Sequence, residues 1–208
     1  MAAQIEKRRP QLQRGILLEY LTIGWNIIEG FVAVGSGAAS GSIALIGFGV
    51  DSFIETSSGG ILLWRLGAER RGNDAEKVER IALKLVGLSF LLLAAYVAFD
   101  SIKSLLEREA PERSMVGIAI AALSLIVMPW LAYAKRRTAG RLSSASLHAD
   151  SRQSALCAWL SAILLGGLLL NALLGWWWAD PVAALAMVPI IVNEGREALK
   201  GQACSDCH

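Results

Sequence analysis

Six long apolar segments, separated by short charged stretches, constrain the fold of this chain more than any other feature. The segments cover residues 15–37, 42–65, 81–106, 115–134, 146–174 and 178–194. Each is long enough, or nearly so, to cross the hydrocarbon layer of a bilayer, which is about 30 Å thick and needs about 20 helical residues. A lone strand would leave its backbone groups unpaired in lipid, so the segments are expected to be helical. The sequence predicts an all-α membrane protein with six transmembrane helices.

The composition supports this fold class and excludes several functions. Hydrophobic residues make up 54% of the 208 positions, and charge is crowded between the apolar segments, as in a polytopic membrane protein. A net charge of +2 with basic residues at segment edges does not indicate a nucleic-acid partner. The sequence offers no nucleophile–base pair and no phosphate-binding glycine loop, so we do not expect an enzyme or a permanently bound cofactor.

The basic residues predict the orientation in the membrane. With a cytoplasmic N-terminus, the inner flanks receive 17 of the 20 Lys and Arg residues, and the outer side receives only Lys103, Arg108 and Arg113. This asymmetry predicts that both termini are cytoplasmic. No small-residue cleavage site follows the polar start, which favours a mature end over a signal peptide. We expect a basic N-terminus over 1–14, a six-helix domain over 15–194 and a short tail over 195–208, in the cell membrane.

Two carboxylates interrupt the second apolar segment. Asp51 and Glu55 are four residues apart, so on a helix they lie one turn apart on the same face. Counting from the outer end of the segment at 1.5 Å per residue places them about 13–20 Å deep, near the middle of the membrane. An ionised carboxylate there costs on the order of 2.5–3.5 kcal/mol on insertion scales, so such residues are functional candidates.

The fifth segment carries a second polar cluster. Asp150, Gln153 and Cys157 have spacings of three and four and therefore share one helix face. Antiparallel packing brings Gln153 and Cys157 to a depth comparable with that of the acids in segment two. Carboxylate, amide oxygen and thiolate around one centre suit a borderline-soft divalent ion such as zinc. The alternatives are hydrogen bonding between helices for the polar groups and simple packing for Cys157.

Further polar residues are secondary candidates. Asn26 and Glu29 lie in the first segment and either line a cavity or sit at helix interfaces. His148 lies near the cytoplasmic edge, as a surface or gate residue. The tail ends in Cys204, Cys207 and His208; this run resembles a haem-attachment motif, which requires an oxidising compartment. In a cytoplasmic tail these residues either pass metal to the entrance of the transport pathway or have no role.

The polar stretches resemble two motifs of the cation diffusion facilitator family. In the second segment, "SIALIGFGVDSFIE" resembles the second-helix signature S-x-A-L-x-A-D-A-x-[HD]-S-x-x-D. Asp51 and Ser52 match, and Glu55 stands where the family has its second metal-binding Asp. In the fifth segment, "ADSRQSALC" resembles A-D-A-x-H-x-x-x-D, with Gln153 at the His position and Cys157 at the final Asp. Asp150 matches the first Asp of that motif.

The resemblance implies a function and a ligand set. Such proteins are homodimeric exporters that move Zn²⁺ or related cations outward in exchange for protons. The implied metal ligands are Asp51, Glu55, Gln153 and Cys157, with Asp150 as a structural partner or as a replacement for Gln153. The Gln–Cys pair and the lack of a cytoplasmic C-terminal domain depart from the family pattern and suggest a short branch.

Alternative functions stay open at this point. The expected substrate is Zn²⁺, or Cd²⁺, Co²⁺, Fe²⁺ or Mn²⁺, with protons as the second partner and the lipid bilayer as the surroundings. A metal-binding membrane sensor that does not transport is one alternative. A carrier for a small organic cation, using the same carboxylates, is another.

Overall fold

The chain folds into six α-helices, and the computed structural model describes residues 2–69, 75–108, 111–142 and 145–200. The helices are α1 (Ala2–Ser40), α2 (Ile43–Glu69), α3 (Ala75–Glu107), α4 (Met115–Leu142), α5 (Ala145–Leu174) and α6 (Ala179–Leu199). Each predicted apolar segment coincides with one helix, which confirms the all-α fold. Several helices extend well beyond the apolar segments, because charged residues outside the hydrocarbon continue the helical backbone.

The turn between α1 and α2 is tight and is fixed by side chains. Gly41 has a φ of 70°, a conformation that glycine adopts without steric cost. Ser42 follows it, and its hydroxyl oxygen accepts a hydrogen bond from the Leu45 amide at 3.2 Å. This is the N-cap interaction that satisfies a free amide at a helix start.

A carboxylate from the far end of the chain completes the start of α2. Asp180 is buried in the first turn of α6. Its Oδ2 accepts hydrogen bonds from the backbone amides of Ile43 at 3.0 Å and Ala44 at 3.4 Å, and its Oδ1 accepts one from the Ser42 hydroxyl. An anionic group at a helix N-terminus is favourable because the free amides point at it. Asp180 therefore ties α6 to the start of α2.

The helices pack so that α2 lies at the centre. The most extensive pairings are α4 with α5, α1 with α2, and α3 with α6, and α2 also contacts α3, α5 and α6. Close backbone approach supports the α3–α6 pairing: a Cβ added to Gly87 would lie 2.7 Å from the carbonyl oxygen of Gly195. Glycine is needed there because any side chain would push the two helices apart.

The distribution of polar and apolar residues is inverted relative to that of a water-soluble protein. Large apolar side chains such as Phe31, Phe99 and Leu173 are exposed, whereas acids, amides and Lys135 are buried. Exposed apolar surface of this extent fits a lipid surrounding. By length and composition, α1, α3, α4 and α5 are the helices within the described ranges that can cross a membrane. α2 and α6 pack against these helices, and the chain is an integral membrane protein.

Candidate functional site

The two acids of α2 lie inside the bundle, and α1 supplies a partner for one of them. Asp51 and Glu55 are both buried. The side-chain amide of Asn26 on α1 donates a hydrogen bond to Oε2 of Glu55 at 2.8 Å. A buried carboxylate requires such donors, because burial removes its hydration. Asn26, predicted only as an accessory residue, therefore contacts a predicted ligand directly.

The α5 residues face α2 as the antiparallel arrangement predicts. Cys157 is a free, buried thiol, and it lies within electrostatic range of the Glu55 and Asp51 carboxyl groups. About one turn further along, the Ser58 hydroxyl on α2 donates to Oε1 of Gln153 at 3.3 Å. The structure therefore brings Glu55, Gln153 and Cys157 to the α2–α5 interface.

A third buried acid extends the polar interior toward α1. Glu29 accepts hydrogen bonds from the Ser52 hydroxyl at 2.9 Å and from the indole N–H of Trp25 at 3.2 Å. Asp51 lies within electrostatic range of Glu29, Glu55 and, on α6, Glu194. Carboxyl groups from three helices thus make the interior around α2 an acidic environment, which favours a cation over an anion.

These acids are held separately in this conformation. Across the described ranges, no three His, Cys, Asp or Glu side chains come together as a metal-binding group. Glu55 and Glu29 are each occupied by neutral hydrogen-bond donors, Asn26 and Ser52 respectively. Side chains of the types that bind a cation therefore lie near one helix interface, but they do not surround a common point.

Comparison with known proteins identifies the family. A family model described as the cation efflux transmembrane domain matches residues 20–202, which is most of the chain. The chain belongs to the cation efflux family. This confirms the resemblance noted in the sequence, and the family is one of transporters rather than enzymes.

A curated relative of this cation efflux domain is also described as a transporter. It is an uncharacterized transporter from Synechocystis sp., 25% identical over 186 residues. The aligned region covers 86% of this chain and 60% of the relative. The chain thus spans about 60% of the length of the relative that it matches.

A buried charged cluster in the cation efflux domain was not found by sequence reasoning. The Lys135 ammonium on α4 lies 3.0 Å from Oε2 of Glu19 on α1 and 2.5 Å from Oδ2 of Asp150 on α5. It also donates to the Ser154 hydroxyl at 3.4 Å. Lys135 is one of the 17 basic residues that the sequence places on the inner flanks, and the structure adds that its side chain is buried between α1 and α5.

The other predicted site residues make different contacts or lie outside the described residues. Asp150 contacts Lys135 rather than an acid of α2. His148 is exposed near the start of α5. Cys204, Cys207 and His208 lie outside the described residues, so their role stays a prediction.

Proposed function

We propose that this cation efflux domain moves a divalent metal cation outward across the cell membrane in exchange for protons. The proposed ligands are two acids of α2 and the facing amide and thiol of α5: Asp51, Glu55, Gln153 and Cys157. The observation that carries the proposal is that three buried side chains, Asp51, Glu55 and Cys157, lie within electrostatic range of one another across the α2–α5 interface.

The chemistry of the ligands supports a borderline-soft ion. A thiolate favours Zn²⁺ or Cd²⁺ over Mg²⁺ or Ca²⁺, while carboxylate and amide oxygens accept most divalent ions. Two carboxylates and a thiolate carry three negative charges around a dication. Zn²⁺ is therefore the proposed substrate, with Cd²⁺, Co²⁺, Fe²⁺ and Mn²⁺ as the other candidates.

Proton exchange follows from the same ligands. Metal binding requires deprotonated carboxylates and a deprotonated thiol, so binding of the metal releases protons and its departure takes them up. Buried acids strengthen this coupling, because a charged group without a counter-ion is unfavourable in the bundle interior. Each transported dication is thus replaced by protons on Asp51, Glu55 or Cys157.

Conformational change is part of the proposal. Among the described residues these ligands do not come together as a metal-binding group, and Glu55 is hydrogen-bonded to the Asn26 amide, so cation binding must draw Asp51 toward Glu55 and Cys157. The Asn26 amide is the group that Glu55 exchanges for the metal. Rocking of α2 against α5 would then open the site to one side of the membrane at a time. A homodimer would give each bundle a fixed partner against which to move.

Flux measurements in liposomes test the proposal. The purified protein is reconstituted with an imposed pH gradient, and uptake of Zn²⁺, Cd²⁺, Co²⁺, Mn²⁺ and Fe²⁺ is followed beside internal pH. Asp51→Asn should abolish flux of every metal, while the control Asp100→Asn on α3, which is hydrogen-bonded to Tyr96, should retain it. Cys157→Ser should lose Zn²⁺ and Cd²⁺ flux more than Mn²⁺ flux, because sulfur is the soft ligand.

The outcomes separate the alternatives. Zn²⁺ binding to the purified protein without flux in liposomes would identify a sensor instead of a transporter. Flux of an organic cation but of no metal would identify a different carrier. Normal metal flux in Asp51→Asn would remove that residue from the site.

A further inference from the structure

An open groove runs along the outside of the bundle between α4 and α5. It has a volume of about 420 Å³ and is lined mostly by apolar residues. Its floor is made of small side chains, including Ala132, Ala155 and Ala158, and Tyr133 and Trp159 form its walls. The volume lies within the range of about 300–1,000 Å³ found for small-molecule sites. The groove is distinct from the α2–α5 interface and faces the surroundings of the protein.

The length of the groove matches one leaflet of a bilayer. Along α4 the lining extends from Leu125 to Arg136, and along the antiparallel α5 it extends from Ser151 to Ala162. Each stretch spans eleven residue steps, or about 16 Å at 1.5 Å per residue. Half of the roughly 30 Å hydrocarbon layer is about 15 Å. An acyl chain that lies in the groove would therefore reach from the interface to about the middle of the membrane.

Charge and polarity are confined to one end of the groove. Arg136 and Ser151 line that end, whereas Leu125, Pro129 and Ala162 line the other. Arg136 is exposed, and no ion pair between it and another described residue is present. The basic residues that flank this end place it on the cytoplasmic side, where anionic lipids are concentrated.

We propose that this groove binds an anionic phospholipid of the cytoplasmic leaflet. The phosphate accepts hydrogen bonds from the exposed Arg136 guanidinium, which binds phosphate in a bidentate manner. One acyl chain lies over Ala155 and Ala158 between the rings of Tyr133 and Trp159. The lipid holds α4 against α5 on the face opposite their contact with the bundle interior. This inference does not depend on the transport activity proposed above.

Native mass spectrometry of the purified protein tests the site with two matched lipids. Phosphatidylglycerol and phosphatidylcholine with identical acyl chains are added to detergent-solubilised protein, and bound lipid is counted per chain. We expect phosphatidylglycerol to be retained preferentially. Arg136→Gln should weaken its retention about fivefold, the effect of losing one basic residue near a lipid headgroup. Arg137→Gln is the control, because the neighbouring arginine is exposed on the same helix and is not part of the groove lining.

A second pair of variants tests the acyl-chain position. Ala158→Phe fills the floor of the groove and should displace both lipids, whereas Ala119→Phe adds the same ring to an exposed position elsewhere on α4 and should displace neither. Circular dichroism verifies the helical fold of each variant. Equal retention in Arg136→Gln and Arg137→Gln would overturn the headgroup contact. Unchanged lipid retention with loss of dimers in Ala158→Phe would overturn the proposal and make the groove an interface between two copies of the chain.

Discussion

Replacing Lys135 by methionine removes the ammonium group that lies between two carboxyl groups inside the bundle. The side chain of Lys135 is 0% exposed, and those of Glu19 and Asp150 are 1% and 11% exposed. Methionine keeps most of the side-chain volume, so the change acts mainly through charge. The two carboxyl groups would then face each other without a counter-ion in a medium that does not hydrate them.

The expected loss of stability is large because the pair is buried. Removing one partner of a buried ion pair costs about 3–5 kcal/mol, since the remaining charge is left uncompensated. A cost of that size lowers the melting temperature of a chain of this length by on the order of 10 °C. The exposed pair between Lys103 and Glu107, at 45% and 52% side-chain exposure, is worth about 0–1 kcal/mol. Lys103→Met is therefore the matched control.

Thermal unfolding in one detergent, followed by circular dichroism, measures both variants. A third variant combines Lys135→Met with Glu19→Gln and Asp150→Asn, and it should recover much of the stability because no unpaired charge is left in the interior. If Lys135→Met melts no lower than Lys103→Met, the cluster does not stabilise the bundle. If the triple variant melts as low as the single one, packing rather than charge explains the loss.

Three further changes test other contacts. Gly87→Ala should destabilise the fold by about 1–3 kcal/mol through overpacking. Gly24→Ala is the control and should be neutral or slightly stabilising, because an added Cβ would meet open space there. Equal melting temperatures of the two variants would contradict the close approach of α3 and α6. Asp180→Ala should cost about 1.5–3 kcal/mol in thermal unfolding, because charged hydrogen bonds to the start of α2 are lost; an unchanged melting temperature would argue against that cap. Asn26→Leu removes the hydrogen-bond donor to Glu55 and should change the apparent affinity for Zn²⁺ in the flux assay while it leaves the melting temperature nearly unchanged. A lower melting temperature with unchanged affinity would indicate a purely structural contact.

The helices could be predicted from the sequence because lipid leaves few choices for the backbone. Each apolar segment had to be helical, and each is. The ends of the helices could not be predicted in the same way, since hydropathy marks where lipid contact stops rather than where the helix stops. The N-terminal start of α1 at Ala2 and the extension of α4 to Leu142 both lie in polar sequence. That extension is what carries Lys135 inward.

Only part of the polar interior was visible in the sequence. Asp51 and Glu55 attracted notice because two acids stand in an apolar run at helical spacing, and the pattern of α5 indicated the side that faces them. Glu19 and Lys135 are 116 positions apart and share no spacing that predicts contact. A lysine at the end of an apolar segment also fits a residue whose ammonium group extends to the water at the membrane surface. Long-range pairing of this kind needs the three-dimensional structure.

The Asp180 cap at the start of α2 has a consequence for how the protein is made. The ribosome completes α2 long before residue 180 is synthesised. The backbone amides of Ile43 and Ala44 therefore lack their carboxylate acceptor until the last helix has been made. The order of insertion into the membrane and the order of assembly therefore differ. In a nascent chain without α6, the helix that carries Asp51 and Glu55 would still pack against α1, but its first amides would lack the Asp180 acceptor.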